Sequence, residues 1–293
     1  MDLAVFPWRF KFEARDAVQF PPGKAANVLR GGFGTVFRQV ASDSYARIFE
    51  PTAARGEGPS GLANQPRPFV IRAAHLDGLR VEPGGRFHFD VHVFLRHDPA
   101  LSAFVSAFDE LGRVGLGAMR GKAVLESVWQ LAMNREPEIE LSPGAAPAPL
   151  RLPLECAGPA VSRLRICFLS PTELKAAEAV ADAPEFAIVF ARARDRVASL
   201  STLYGVGPLD FDFRALGLRA GKVRMTRCDI QRMQAKRRSS RTGQTHSIGG
   251  FVGEADYDGE LAEFLPVLNA AEWTGIGRQT VWGKGEIRCV TLD

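Results

Sequence analysis

Bulky and polar residues alternate from Leu3 to Glu13, with Phe6, Trp8, Phe10 and Phe12 on one side. This two-residue period predicts a half-buried strand. Pro21, Pro22 and Gly23 break it, and Lys24–Val40 then reads as a helix. Gly31, Gly32 and Gly34 lie inside that helix. Each costs about 1 kcal/mol against alanine, so the helix is expected to pack very close to a neighbour. A loop rich in Gly, Pro and Ala follows over 51–66. Phe69–Leu76 and Arg86–Leu95 are strand-like, the second with Phe87, Phe89, Val91, Val93 and Leu95 on one face. Pro99–Leu111 is an amphipathic helix, with Leu101, Phe104, Val105 and Phe108 on one side. Lys122–Leu131 is a further strand. Strand, helix, strand, strand, helix, strand is the order of a ferredoxin-like unit.

Residues 136–159 are rich in Pro, Ala and Gly and are expected to be a linker. The second half repeats the order: strand Arg163–Leu169, helix Glu185–Leu203, strands Lys222–Gln234 and Ile248–Tyr257, helix Glu260–Leu268, and a closing strand over Thr280–Val290. No sequence repeat accompanies the repeated pattern. The predicted fold class is α+β, with two tandem ferredoxin-like (βαββαβ, RRM-like) domains at 1–135 and 160–293.

At 293 residues the chain is long for one domain and comfortable for two. Its net charge of +4 and pI near 9.0 are mildly basic, compatible with a nucleic-acid partner. Cys156, Cys167, Cys228 and Cys289 show no CxxC spacing and are expected to be free thiols, with neither a disulfide frame nor a zinc site. No apolar run approaches the roughly 20 residues that span a bilayer. The first residues lack the layout of a signal peptide. A cytoplasmic protein without membrane, metal or cofactor is expected.

The distribution of charge says more than its total. The densest basic run is Lys236, Arg237 and Arg238, with Arg232 and Arg241 beside it. A glycine-rich loop follows at Gly275, Gly277, Gly283 and Gly285, flanked by Arg278 and Lys284. Glycines let a backbone approach a ligand closely. Lysine and arginine suit phosphate. Together they point to nucleic acid, bound with a steep salt dependence. Arg227 and Arg232 are an odd step apart and face opposite ways on a regular strand. Trp273 and Trp282 either stack on unpaired bases or pack in a core or hinge.

Several motifs occur in a fixed order between residues 29 and 285. They are Leu29-Arg30-Gly31-Gly32-Phe33-Gly34, Tyr45 to Pro51, Pro66 to Ile71, Gly115-Leu116-Gly117 through Arg120-Gly121, Arg238-Ser239-Ser240-Arg241, Gly249-Gly250 with Gly253, Tyr257 with Gly259, and Trp273 through Gly285. In this order they resemble the repeat-associated RNA-binding superfamily of CRISPR systems, and more closely its endoribonucleases that cut repeat RNA into guide units. The resemblance implies cleavage without metal. The 2′-hydroxyl beside the scissile phosphate attacks it, leaving a 2′,3′-cyclic phosphate and a 5′-hydroxyl. It implies CRISPR repeat RNA (precursor crRNA) as partner, other CRISPR-associated effector subunits as further candidates, and a monomer or homodimer. It places the active site where the first helix meets the glycine loop. Unlike several relatives, this first helix carries no histidine, and Gln39–Tyr45 holds no cysteine.

Such a reaction needs a base, an acid and charge stabilisation on the phosphate. His246, between the basic run and the glycine-rich strand, is the first candidate for acid or base; the alternative is a solvated loop histidine. The second candidate set is Arg30, Lys24 and Tyr45, with Arg38 a further charged residue on the same helix. Candidate RNA contacts are Arg232, Lys236, Arg237, Arg238, Arg241, Gly275, Gly277, Arg278, Gly283, Lys284 and Gly285. His88 and His92 share a strand face, where a structural or solvated role is expected over metal binding. His97 is expected to cap the following helix, and His75 has no motif around it. The competing reading is a non-catalytic subunit that holds repeat or guide RNA.

Overall fold

Strand β1 (Asp2–Ala14) runs through the middle of the first sheet, because its alternate residues Trp8, Phe10 and Phe12 are large and fully buried. The computed structural model describes the chain except residues 52–64, 118, 143, 157, 177–178, 235, 239–244, 248 and 293, and for 236–238 and 245–247 it describes the backbone alone. The first unit continues with β2 (Val18–Gln19), α1 (Ala25–Val40), α2 (Ser42–Phe49), β3 (Phe69–Arg72), β4 (Arg80–Val81), β5 (Arg86–Val93), α3 (Leu101–Val114), β6 (Ala123–Leu131), β7 (Pro137–Glu140) and β8 (Leu150–Pro153). Its sheet has the order β3-β5-β1-β6-β7, the antiparallel ferredoxin-like arrangement extended by one strand.

Helices α1 and α3 cover one face of this sheet. Phe33 of α1 stacks on Phe108 of α3 with centroids 4.0 Å apart, and Phe108 rests on Phe10 of β1. The close approach expected of the glycine-bearing helix is made at Gly32, where a Cβ would lie 2.6 Å from Leu111. Two expected strands are shorter. The one expected over Phe69–Leu76 stops at Arg72, since Ala74–Leu76 winds into a 3-10 turn. The one expected over Arg86–Leu95 stops at Val93. Residues 136–159, expected as a linker, contain β7, which pairs with β6, and β8, which pairs with β1 through Leu3 and Leu152.

The second unit comprises β9 (Arg163–Thr172), β10 (Lys175–Ala176), β11 (Ala179–Val180), α4 (Phe186–Tyr204), α5 (Phe213–Ala220), β12 (Arg224–Met233), β13 (Lys236–Arg238), β14 (Thr245–Ser247), β15 (Gly250–Asp258), α6 (Leu265–Thr274) and β16 (Ile287–Thr291). Its sheet order, β12-β15-β9-β16, repeats that of the first unit. The helix expected over Glu260–Leu268 begins instead at Leu265, where Pro266 suits a helix's first turn, and runs to Thr274. The closing strand begins at Ile287, later than expected, because Thr280–Trp282 forms a 3-10 turn first.

The two units share a buried seam. Leu3, Val5, Val70 and Phe94 of the first belong to the core of the second. Arg72 Nη2 and His92 Nδ1 both donate to the Trp273 carbonyl, at 3.0 and 2.9 Å. Arg135 lies over the Trp273 ring and pairs with Glu272 at 2.6 Å. Burial lowers Arg72 to about 10, and burial with the Arg72 charge holds His92 well below its usual value. His92 is thus a structural donor and not a solvated residue, and Trp273 is seam packing.

Candidate active site

Three distant segments converge on the start of α1. The Lys284 ammonium, 4% exposed, donates to the Gly23 carbonyl at 2.6 Å. Asp77 accepts from the Ala25 amide at 2.8 Å and so caps the helix from the turn after β3. Met233, the last residue of β12, lies with its Cε 3.3 Å from where a Gly23 Cβ would sit. Desolvation lowers Lys284 to about 8 against the opposing pull of Asp77, with Lys24 lowering it further. Desolvation raises Asp77, offset by the helix-start amides and Lys284.

The glycine loop seats itself in this junction. Gly275, Gly277, Gly283 and Gly285 all have positive φ, between 68° and 74°. A Cβ on Gly283 would lie 2.3 Å from the Ala26 methyl, and one on Gly285 would strike the Ile276 carbonyl. These two glycines are buried and serve close protein packing. Lys284, expected as an RNA contact, turns its ammonium inward to the Gly23 carbonyl.

Further along α1, the Arg30 guanidinium lies 5.7 Å from the Trp282 ring and 5.9 Å from the Phe49 ring. Helix and loop are therefore joined at this motif arginine as well. Lys24 occupies the N-cap position of α1, half-buried, with no ion pair among the described residues. The Tyr45 ring stacks on Phe49 at 5.1 Å and lies beneath Arg38. The junction thus unites Lys24, Arg30, Trp282 and Lys284, with Tyr45 reached through Phe49.

The basic run forms a hairpin rooted at Met233. Strand β13 pairs with β14, placing Arg237 opposite His246 and Lys236 opposite Ser247. The side chains of Lys236, Arg237, Arg238 and His246, and all of Arg241, lie outside the described residues. Arg232 pairs with Asp182 at 2.7 Å, and Arg278 pairs with Glu173. Both arginines are exposed, so a phosphate can compete for them. His97 does not cap α3; Asp98 bonds the Ala100 amide at 3.2 Å instead. Among the described residues no group of three or more His, Cys, Asp or Glu is placed to hold a metal, and no helix is long and apolar enough to cross a membrane. Asp77 and Met233 were not singled out in the sequence. Asp77 acts across 52 residues on a helix start, a relationship with no local signature.

Residues 166–287 match the family model of the CRISPR-associated endoribonuclease Cas6, and residues 3–145 match a model described as an N-terminal domain. No curated protein is similar to the chain by sequence. Among solved structures, a Cas6 product complex is 14% identical with a TM-score of 0.62, covering 98% of this chain and 99% of that one. Thermus thermophilus Cas6 is 14% identical with a TM-score of 0.58, covering 99% of each chain. A partial Cas6-RT-Cas1–Cas2 complex is 12% identical with a TM-score of 0.63, covering 99% of this chain and 46% of that one. These likenesses show two tandem ferredoxin-like domains.

Proposed function

We propose that this chain, which belongs to the Cas6 family of CRISPR-associated endoribonucleases, binds CRISPR repeat RNA and cleaves the precursor within or beside each repeat, without metal. The observation that carries the reading is the convergence on Gly23. The motif helix, the glycine loop and the root of the basic hairpin meet there, although they come from residues 23–30, 282–285 and 233. A phosphodiester at this mouth meets Lys24, the Arg30 region and the basic run of β13. The 2′-hydroxyl attacks the adjacent phosphorus, the bond to the 5′-oxygen breaks, and a 2′,3′-cyclic phosphate and a 5′-hydroxyl result. The hydroxyl proton goes to a base and the leaving oxygen takes a proton from an acid. His246 fills one of these roles, and Lys24 and Arg30 stabilise the phosphorane charge.

The test mixes purified protein with its own repeat RNA in chelator, beside the same RNA carrying a 2′-deoxy nucleotide at the cut. Cutting of the first alone is expected. Tight binding with neither RNA cut would establish the non-catalytic subunit instead. An unimpaired His246→Ala enzyme would remove His246 from the chemistry and leave Arg30, Lys24 and Tyr45.

A further inference from the structure

The first sheet has a second face, where Leu3, Val5 and Val70 pack into the core of the other unit. Further along, the central strands β1 and β5 place Lys11 directly opposite His88, and Lys11 is opposite Ser127 of β6 on its other side. The exposed His75 ring stacks on His88 at 4.6 Å, fixed by its Nε2–H to the His88 carbonyl at 2.9 Å. On the other flank the Lys11 ammonium lies 4.8 Å from the half-buried Trp129 ring, whose Nε1–H bonds Ser127. The result is a row of two imidazoles, one ammonium and one indole across the middle of an RRM-like sheet.

The charges around this row are mostly paired with one another. Asp90 is held by Arg9 at 2.7 Å, Glu13 by Arg15 at 2.6 Å and Glu126 by Arg86 at 2.9 Å. Lys11 has no ion pair among the described residues, so it is the surplus cation of the face. Burial first, and then the Arg9 charge, lower His88 to about 4, so its ring is neutral near pH 7. Glu140 of β7 lies opposite Trp129 and bounds the row on that side.

The row is continuous with the mouth of α1. The turn Ala74–Leu76 joins them: Ala74 and Asp77 line the small cleft beside Gly23 and Lys284, while His75, between them, stacks on the sheet. We infer that His75, His88, Lys11 and Trp129 form a platform for a single-stranded stretch of RNA, with bases stacked on the rings and a phosphate on Lys11. The inference rests on the proposed RNA-processing function. Flat rings and one cation suit this ligand, because every base offers a π-face and stacking on aromatic side chains is tolerant of sequence.

The test is fluorescence anisotropy of the full chain with a labelled single-stranded oligoadenylate, beside a short RNA duplex. His75→Ala and Lys11→Gln are each expected to weaken the single strand about fivefold or more and to leave the duplex unchanged. His75→Phe, which keeps a ring, is expected to retain wild-type affinity, and Glu140→Gln to tighten binding. Melting temperatures near that of wild type show that the surface variants fold. Equal single-strand affinity in wild type, His75→Ala and Lys11→Gln would overturn the platform, as would a His75→Phe loss equal to that of alanine. Repeat cleavage by the same proteins is scored separately. Cleavage intact with affinity unchanged removes only the platform. Absent wild-type cleavage removes the nuclease reading, while the oligoadenylate result still decides the platform.

Discussion

Lys284 bonds the carbonyl of Gly23 across 261 residues of sequence, tying the glycine loop of the second unit to the residue just before the N-cap of the first unit's motif helix. The bond is made by an ammonium that desolvation lowers to about 8 from its usual 10.5. Between those values the unfolded chain binds a proton that the folded chain releases, so this lysine makes stability rise with pH from about 8 to 10.5. Below pH 8 the full cost of burying the charge applies, roughly 3 kcal/mol. Lys284→Met is expected to flatten the slope. Melting temperatures of wild type and variant from pH 7 to 10.5 check this, and parallel curves would show that Lys284 does not titrate there.

Gly283 tests whether the contact between loop and helix matters to cleavage. A methyl there would meet Ala26 at 2.3 Å, and φ is +72°. Gly283→Ala is expected to cost about 1–3 kcal/mol and to slow repeat cleavage at least tenfold, because misplaced catalytic groups are costly. Gly31 is the control: a Cβ there meets nothing within 4 Å and φ is ordinary. Gly31→Ala is expected to stabilise the helix by about 0.5–1 kcal/mol. Chemical denaturation and single-turnover cleavage of both variants measure the contrast.

The motif that runs from Leu29 to Gly34 divides into two functions. Phe33 is fully buried and touches Phe37, Phe49, Phe69, Phe104 and Phe108. Phe33→Ala is expected to cost about 3–5 kcal/mol of stability. Arg30 instead faces the loop, through Trp282. Arg30→Ala is expected to melt within a few degrees of wild type and to cleave about a hundredfold more slowly. Full cleavage by a folded Arg30→Ala protein would exclude Arg30 from the chemistry.

The alternation of Phe6, Trp8, Phe10 and Phe12 was enough to place β1, and that of Phe87, Phe89 and Val91 to place β5, because burial on one face imposes a period of two. The repeated order of elements was therefore legible. Residues 136–159 were not, since their composition of Pro, Ala and Gly hides the short alternation around Ile139 and Leu152 that builds β7 and β8. The glycine loop was legible as a loop, but its partner was not. Nothing near Lys284 in sequence indicates that its ammonium turns inward to Gly23, or that Asp77 closes the same helix start. Contacts between units are set by how two sheets dock, and no local period encodes that.

Strand β13, paired with β14, carries three consecutive cations, Lys236, Arg237 and Arg238, shortly after Met233, which lies beside Gly23. If it lies along the RNA backbone, each cation that meets a phosphate releases a counterion. The slope of log affinity against log salt then changes by about 0.7 per contact for single-stranded RNA. Replacing all three with glutamine is expected to flatten that slope by roughly 2 and to weaken binding most at low salt. Cleavage at saturating RNA is expected to fall much less than binding, since Lys24 and Arg30 remain at the mouth of α1. Repeat-RNA titrations between low and moderate salt measure the slope. A slope equal to that of wild type would place the hairpin away from the phosphates and leave the Gly23 junction alone to bind the RNA.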